Sequence, residues 1–316
     1  MSKDLRIVFM GTPDFAVATL KNLVEENYNI VGVITAPDKP AGRGRKLHKS
    51  AVKKYAESQG LKILQPTNLK NEDFISNLRS LNANLQIVVA FRMLPKVVWQ
   101  MPEFGTFNLH ASLLPNYRGA APINWAIING ETRTGVSTFF IDDKIDTGEM
   151  ILQEEVDIDP KENAGHLHNK LMVIGSQLVL KTVKLIEKGD FSTIPQPEIK
   201  NRKTANKLNK DNCKIEWNGS IESIFNKIRG LSPYPGAWSI LKNGEDSLNV
   251  KIYEAKKEYV NHEYKTGRIL TDKKSIKIAV KNGFIIITEI QLPGKRKMDS
   301  ISLLNGYHFE ANSKML

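Results

Sequence analysis

The fold class predicted is α/β: a doubly wound, mostly parallel Rossmann-like sheet followed by a smaller carboxyl-terminal β-barrel of oligonucleotide-binding (OB-like) type. Three observations predict it. Residues 5–188 alternate continuous apolar runs with helix-period segments, as a parallel sheet covered on both faces requires. After residue 207 the strands shorten and turn residues recur at regular spacing, which is the rhythm of a small barrel. The charge divides at nearly the same place. Residues 1–200 carry 24 Lys+Arg against 22 Asp+Glu, residues 201–316 carry 21 against 12, and so +9 of the net +11 lies in the last third.

Each element follows from local pattern. Residues 5–10 (LRIVFM) form an apolar strand closed by Gly11-Thr12-Pro13, and Phe15, Leu20 and Leu23 then recur at helical spacing. Strands follow at 30–36, 62–64, 85–90 and 106–110, with helices at 50–59 and 74–81 between them. A helix near 121–129, strands near 136–141 and 151–156, and a long amphipathic helix over 164–188 complete this half. Its apolar side carries Leu167, Leu171, Ile174, Leu178 and Val183. Residues 189–207 are polar, hold Pro195 and Pro197, and show no period, as a linker does. A short helix at 221–229 and strands near 238–241, 250–255, 267–270, 275–280 and 284–291 make the barrel. The expected domains are 1–189, a linker at 190–207, and a basic domain at 208–316.

Composition narrows the class further. No apolar run approaches the roughly 20 residues that span a bilayer. The opening MSKDLRIVFMGTPDFA lacks the apolar core of a secretory signal. The single cysteine, Cys213, leaves no internal disulfide and suits a reducing cytoplasm. A cytoplasmic monomer without membrane contact is expected, and the basic last third suggests a polyanion partner.

Several chemistries lack their motifs. The first turn reads GTPDFA, so neither a GxGxxG nor a GxxxxGK[ST] phosphate loop is present. No HExxH, cysteine pair or histidine cluster offers metal spacing, and no metal is expected. No GxSxG elbow is present either.

What remains is Phe107–Gly148, FNLHASLLPNYRGAAPINWAIINGETRTGVSTFFIDDKIDTG. Asn108 and His110 stand two apart on a strand and so share a face. An amide donor beside an imidazole can hold a developing oxyanion, and a carboxylate from another loop, Asp146, can assist proton movement. Such a trio suits attack of an amine on a carbonyl carbon without a covalent enzyme intermediate. Taken singly, Asn108 and His110 could merely cap the strand and satisfy backbone groups.

The run Asn108-Leu109-His110-Ala111-Ser112-Leu113-Leu114-Pro115 resembles the N-x-H-x-S-L-L-P signature of the 10-formyltetrahydrofolate-dependent formyltransferases, and DDKIDTG over 142–148 resembles their aspartate loop. GTPDFA at 11–16, PDKPAGRGRKL at 37–47, YRGAAPI at 117–123 and IRGLSPYPGAW at 228–238 resemble the branch that acts on methionyl initiator tRNA. The resemblance implies Asn108, His110 and Asp146 as the catalytic trio. It implies 10-formyltetrahydrofolate as co-substrate, lying across Ser112, Leu113, Leu114 and Pro115. It also implies a basic loop that wedges into the tRNA acceptor end, carried here by Arg43, Arg45 and Lys46. Lys295, Arg296 and Lys297 after Pro293-Gly294 are expected to track backbone phosphate. Where many relatives read A-Y-G-x-I-L-P, this chain reads Ala90-Phe91-Arg92-Met93-Leu94-Pro95, a residue shorter and with an arginine. The alternatives are a formyltransferase for an amino sugar or a nucleotide, and a non-catalytic RNA-binding protein.

Overall fold

The computed structural model describes residues 4–41, 46–189 and 191–316, and the chain divides into two compact units. The first gathers the described residues of 1–119, 135–156 and 168–204; the second gathers those of 120–134, 157–167 and 205–316.

The first unit is built on a seven-stranded sheet. Its order is Met150–Asp157, Arg133–Phe140, Thr106–His110, Leu85–Val89, Arg6–Gly11, Asn29–Ile34 and Ile63–Leu64. From Ile63–Leu64 across to Thr106–His110 all pairings are parallel, and Arg133–Phe140 then pairs antiparallel with Thr106–His110. The central strands are apolar throughout because both faces are covered: Ile7, Val8, Phe9 and Met10 are fully buried. Helix Asp14–Glu25 starts after Pro13 and buries Phe15, Ala16, Thr19, Leu20 and Leu23, one stripe at helical spacing. Ser50 and Asn71 cap the next two helices by accepting from Lys53 N (3.0 Å) and Phe74 N (3.0 Å).

Connection order reverses between Arg6–Gly11 and Leu85–Val89, the place where open α/β sheets put their ligand crevice. The carboxyl end of Thr106–His110, next in the sheet, carries Asn108 and His110.

Two segments depart from expectation. The basic stretch near residue 43 is flanked by a two-stranded ribbon, Lys39–Ala41 against Lys46–His48, that its glycines and charges did not announce. Residues 191–204, expected as patternless linker, bond instead to the first unit. Ile194 exchanges backbone hydrogen bonds with Met150 (both 2.9 Å), and Lys203 O accepts from Tyr117 N at 2.7 Å. A segment can be fixed by its partners without any period of its own, so no pattern reveals it.

In the second unit the antiparallel order is Ile269–Thr271, Ile276–Val280, Gly283–Gln291, Asp246–Tyr259, Ala237–Asn243 and Lys314–Met315. The carboxyl-terminal strand, absent from the sequence reading, closes the ring. Met315 N donates to Gly267 O (2.8 Å) and Ile269 N to Ser313 O (3.1 Å), which carries the sheet back to its first strand. The barrel is thereby nearly closed, and the edges of its first and last strands are largely covered. The interior is aliphatic, with Val250, Ile252, Ile276, Ile278, Ile285, Ile287 and Ile290 all but inaccessible, and Ile221, Ile224, Ile228 and Leu231 of helix Ile221–Leu231 pack into the same cluster. Arg229 of that helix is buried. Its guanidinium donates to Glu162 O (2.8 Å) and Asn226 Oδ1 (2.9 Å), and burial lowers it from its usual range. Among the described residues no helix is long and apolar enough to cross a membrane.

Candidate active site

His110 ends its strand and is 7% exposed. Its Nε2 lies 2.8 Å from the carbonyl oxygen of Tyr117. A carbonyl can only accept, so Nε2 carries a proton and donates there. Nδ1 therefore faces the other way, 3.8 Å from Oδ2 of Asp146. Asp146 is 13% exposed, and its Oδ2 accepts from the backbone of Gly119 at 2.9 Å. Tyr117 and Asp146 both sit in the left-handed region, with φ of 59° and 53°. Non-glycine residues seldom stay there unless their surroundings hold them, and such residues gather at functional sites.

The surroundings do hold Asp146. Thr147 Oγ1 donates to both oxygens of Asp142 (2.6 and 2.9 Å), and Lys144 N donates to Asp142 Oδ1 (2.9 Å), which folds the loop on itself. At Gly148 a Cβ would fall 1.7 Å from Phe140 O, so only glycine fits. Gln196 clamps the loop from outside: its Nε2 donates to Asp146 O (3.0 Å) and Gly148 O (2.8 Å). Its Oε1 accepts from Arg118 Nε (3.1 Å) and Nη2 (2.6 Å). Burial lowers the Arg118 guanidinium from its usual range and Arg202 adds to this, while the carboxylates of Asp146 and Asp142 oppose it. Gln196 and Tyr117 are the residues that the sequence reading missed. The only local signal for Gln196 is its place between Pro195 and Pro197.

Asn108 shares the His110 face two residues earlier, opposite Val88 on one side and Phe139 on the other. Its Oδ1 is buried and has no hydrogen-bond partner among the described residues. A buried amide oxygen left without a partner is costly, and one inside an active-site strand points to a ligand.

The Ser112–Pro115 run is mostly spoken for. Ser112 is fully buried; its Oγ donates to Asn116 O (2.7 Å) and its carbonyl accepts from Ser137 Oγ (2.6 Å). Leu114 N donates to Ser137 Oγ (3.2 Å), and Leu114 O accepts from Gln153 Nε2 (2.9 Å). Leu114 and Pro115 are buried, and Leu113 alone of the four is part-exposed. In the neighbouring 90–95 segment, Ala90 has a φ of 47°. Arg92 stacks over Phe91 and donates to Pro66 O and Thr67 O, so the departure at this position ties two loops together. Leu94 is buried and Met93 exposed. No three metal-ligating side chains gather among the described residues.

Of the expected tRNA contacts, Arg43 and Arg45 lie outside the described residues, and Lys46 begins the Lys46–His48 strand. Nearby Lys49 is paired with Glu57 at 2.9 Å. In the second unit Lys295, Arg296 and Lys297 are exposed; Lys297 pairs with Glu289 (2.8 Å) and lies over the Tyr253 ring.

Comparison with known proteins adds an independent line. Residues 5–183 match the formyl transferase family and residues 207–308 the formyl transferase C-terminal domain. A Flavobacterium johnsoniae protein named methionyl-tRNA formyltransferase is 62% identical over 311 residues, covering 98% of this chain and 99% of its own length. The Bacteroides thetaiotaomicron protein of the same name is 52% identical over 318 residues, covering 99% of each. Among solved structures, a sugar 3N-formyl transferase, WlaRD, crystallised in the presence of dTDP and 5-N-formyl-THF, superposes with a TM-score of 0.65 at 23% identity. The match covers 93% of this chain and 100% of that one.

Proposed function

We propose, for a chain that belongs to the formyltransferase family, that it transfers the formyl group of 10-formyltetrahydrofolate to the α-amino group of methionyl initiator tRNA. The chemistry rests on the His110 arrangement: Nε2 committed to Tyr117, Nδ1 open toward Asp146, and Asn108, its Oδ1 unpartnered among the described residues, on the same face. The acceptor rests on full-length likeness to proteins of that name, which sets aside the amino-sugar and non-catalytic alternatives.

In this reading the neutral amine attacks the formyl carbon, a C–N bond forms, and the C–N bond to the folate nitrogen breaks. His110, with Nε2 donating to Tyr117 O, directs Nδ1–H at the oxygen that gathers negative charge. Asn108 supplies its amide Nδ2–H beside it. Asp146, tied to the Gly119 backbone, takes a proton from the amine, directly or through water, for return to the leaving nitrogen. Donors fixed in a buried site stabilise the transition state more than they would in water. For the folate, the internal bonds of Ser112 and Leu114 fix the loop, in which Pro115 is buried, and Leu113 supplies apolar wall.

We assign phosphate contacts to Arg43, Arg45 and Lys46 at the acceptor end, and to Lys295, Arg296 and Lys297 along the backbone. The first unit, which carries Asn108, His110 and Asp146, then does the chemistry, and residues 208–316 within the second hold the tRNA. The protein acts as a monomer in the cytoplasm, where charged tRNA resides. The deciding experiment incubates purified protein with 10-formyltetrahydrofolate and methionyl initiator tRNA, with uncharged and elongator tRNAs as controls. Formyl on the initiator species is expected; formyl on none of them overturns the reading.

A further inference from the structure

A second recess lies wholly within the barrel unit. Its volume is about 430 Å³, within the range that holds small organic ligands. It lies along the outward face of the hairpin formed by Ala237–Asn243 and Asp246–Tyr259. Trp238 and Lys251 are directly opposed across that hairpin, and their side chains therefore share a face. Lys251 is in turn opposed to Gln291 on the next strand. The alternate residues Ala237, Ser239, Leu241, Val250 and Ile252 are fully buried, which fixes Trp238 and Lys251 as outward. Trp238 is pinned by its indole Nε1, which donates to Lys210 O at 2.6 Å.

Three ammonium groups border this recess or its tryptophan. Lys210 and Lys214 lie 5.3 and 5.9 Å from the Trp238 ring centroid, and Lys251 donates to Pro235 O at 2.8 Å. None of the three pairs with a carboxylate among the described residues, unlike Lys257, Lys277 and Lys297 on the same barrel. An apolar recess with an indole and cations unpaired by carboxylates complements the chemistry of a nucleotide: a ring for the base and charge for the phosphate.

We propose that this recess receives one unstacked nucleotide of the bound tRNA, its base against Trp238 and its phosphate on Lys210, Lys214 and Lys251. The inference rests on the reading of tRNA as substrate. Through the Lys251–Gln291 pair, and the Gln291 amide bond to Lys295 O (2.8 Å), the recess adjoins the Lys295–Lys297 locus and makes one stripe with it.

The test measures initiator-tRNA binding to the full-length protein for wild type, Trp238→Ala, Trp238→Phe and the Lys210→Gln/Lys251→Gln double variant. Loss of one stacked base weakens binding by roughly 10-fold. Trp238→Ala should show that loss, Trp238→Phe should recover most of it, and the lysine pair should flatten the salt dependence. Chemical probing of the complex should find an unpaired base that wild type protects and Trp238→Ala leaves open. If Trp238→Ala does not fold, Trp238→Phe probing and the lysine variant decide. Unchanged affinity and an unchanged protection pattern overturn the proposal. So does binding of free AMP that the variants abolish while tRNA affinity is untouched, which makes the recess a site for free nucleotide. Failure of wild type to formylate methionyl-tRNA would instead sink the functional reading, and the two outcomes are separable in one preparation.

Discussion

Nδ1 of His110 stands 3.8 Å from Oδ2 of Asp146, beyond direct hydrogen-bond reach and close enough for one movement or one shared proton carrier to join them. Catalytic hydrogen bonds are often long before substrate arrives and tighten in the complex. Because Oδ2 already accepts from Gly119 N, the carboxylate is tied to the backbone before it is needed.

Replacing Asp146 by Asn keeps an acceptor for Gly119 and removes the charge. The expected result is a fall in kcat on the order of 100-fold or more, since positioned acid–base groups contribute that much. His110→Ala should lose at least as much. Single-turnover formylation of methionyl-tRNA measures both, and near-normal turnover in either variant would remove that residue from the mechanism.

Asn108 offers a sharper contrast, because its effects on rate and stability should diverge. Its buried Oδ1 has no partner among the described residues, so removing the amide relieves an unmet acceptor. Asn108→Ala should leave the melting temperature unchanged or slightly raised, while formyl transfer falls roughly 100- to 1,000-fold, as for loss of one oxyanion donor. Thermal unfolding and steady-state kinetics on the same sample check it. A marked loss of stability would show that the amide serves the fold.

Gln196 is expected to act through Asp146. Its amide donates to two carbonyls of the Asp146 loop and accepts from Arg118. Gln196→Ala strips all of these and should lower kcat about 10-fold or more, with a stability loss of about 1–3 kcal/mol from the groups left unpaired. Gln196→Glu should be worse than Ala, because its carboxylate would meet two carbonyl oxygens. The order Glu below Ala below wild type, read from kcat, separates a clamp from a spacer.

The contrast between Asn108 and Gln196 shows what a sequence can carry. Asn108 and His110 sit on a strand, where a period of two fixes which residues share a face, while the roles expected of them come from the resemblance of the surrounding motif. Asp146 ends a carboxylate-rich turn and stands out by composition. Gln196 lies in a polar stretch without period, and its importance comes from partners 78, 50 and 48 positions away. Long-range bonds of that kind leave no local trace. The same holds for the closing strand Lys314–Met315, two residues long, whose identity as a strand depends on Gly267 and Leu241. The parallel sheet was legible because burial on both faces demands apolar runs, whereas the bonds of Ser112 and Leu114 to Asn116, Ser137 and Gln153 leave no pattern in the sequence.

Gly148 tests how tightly the aspartate loop is packed. An added methyl would overlap the Phe140 carbonyl, and backbone cannot yield as a flexible side chain can. Gly148→Ala should therefore displace Asp146 and reduce kcat by about 100-fold, because displacements near 1 Å cost that much in a positioned site. A variant with normal kcat would mean that the loop reaches its catalytic geometry by another route.

The basic locus of the barrel makes an electrostatic prediction with an internal control. Lys295 and Arg296 are exposed and make no ion pair among the described residues, while Lys297 is already held by Glu289 at 2.8 Å. Each cation that neutralises a tRNA phosphate releases counterions and steepens the fall of affinity with salt, by roughly 0.7–0.9 in the logarithmic slope. Lys295→Gln and Arg296→Gln should each flatten that slope by about this much and weaken binding alike for initiator and elongator tRNAs, because phosphate contacts carry no sequence information. Lys297→Gln should flatten it less, since its charge is partly satisfied within the protein. Equal slopes for all three variants would mean that the Glu289 pair opens on binding, and an unaltered slope in every variant would place the phosphate track elsewhere on the barrel.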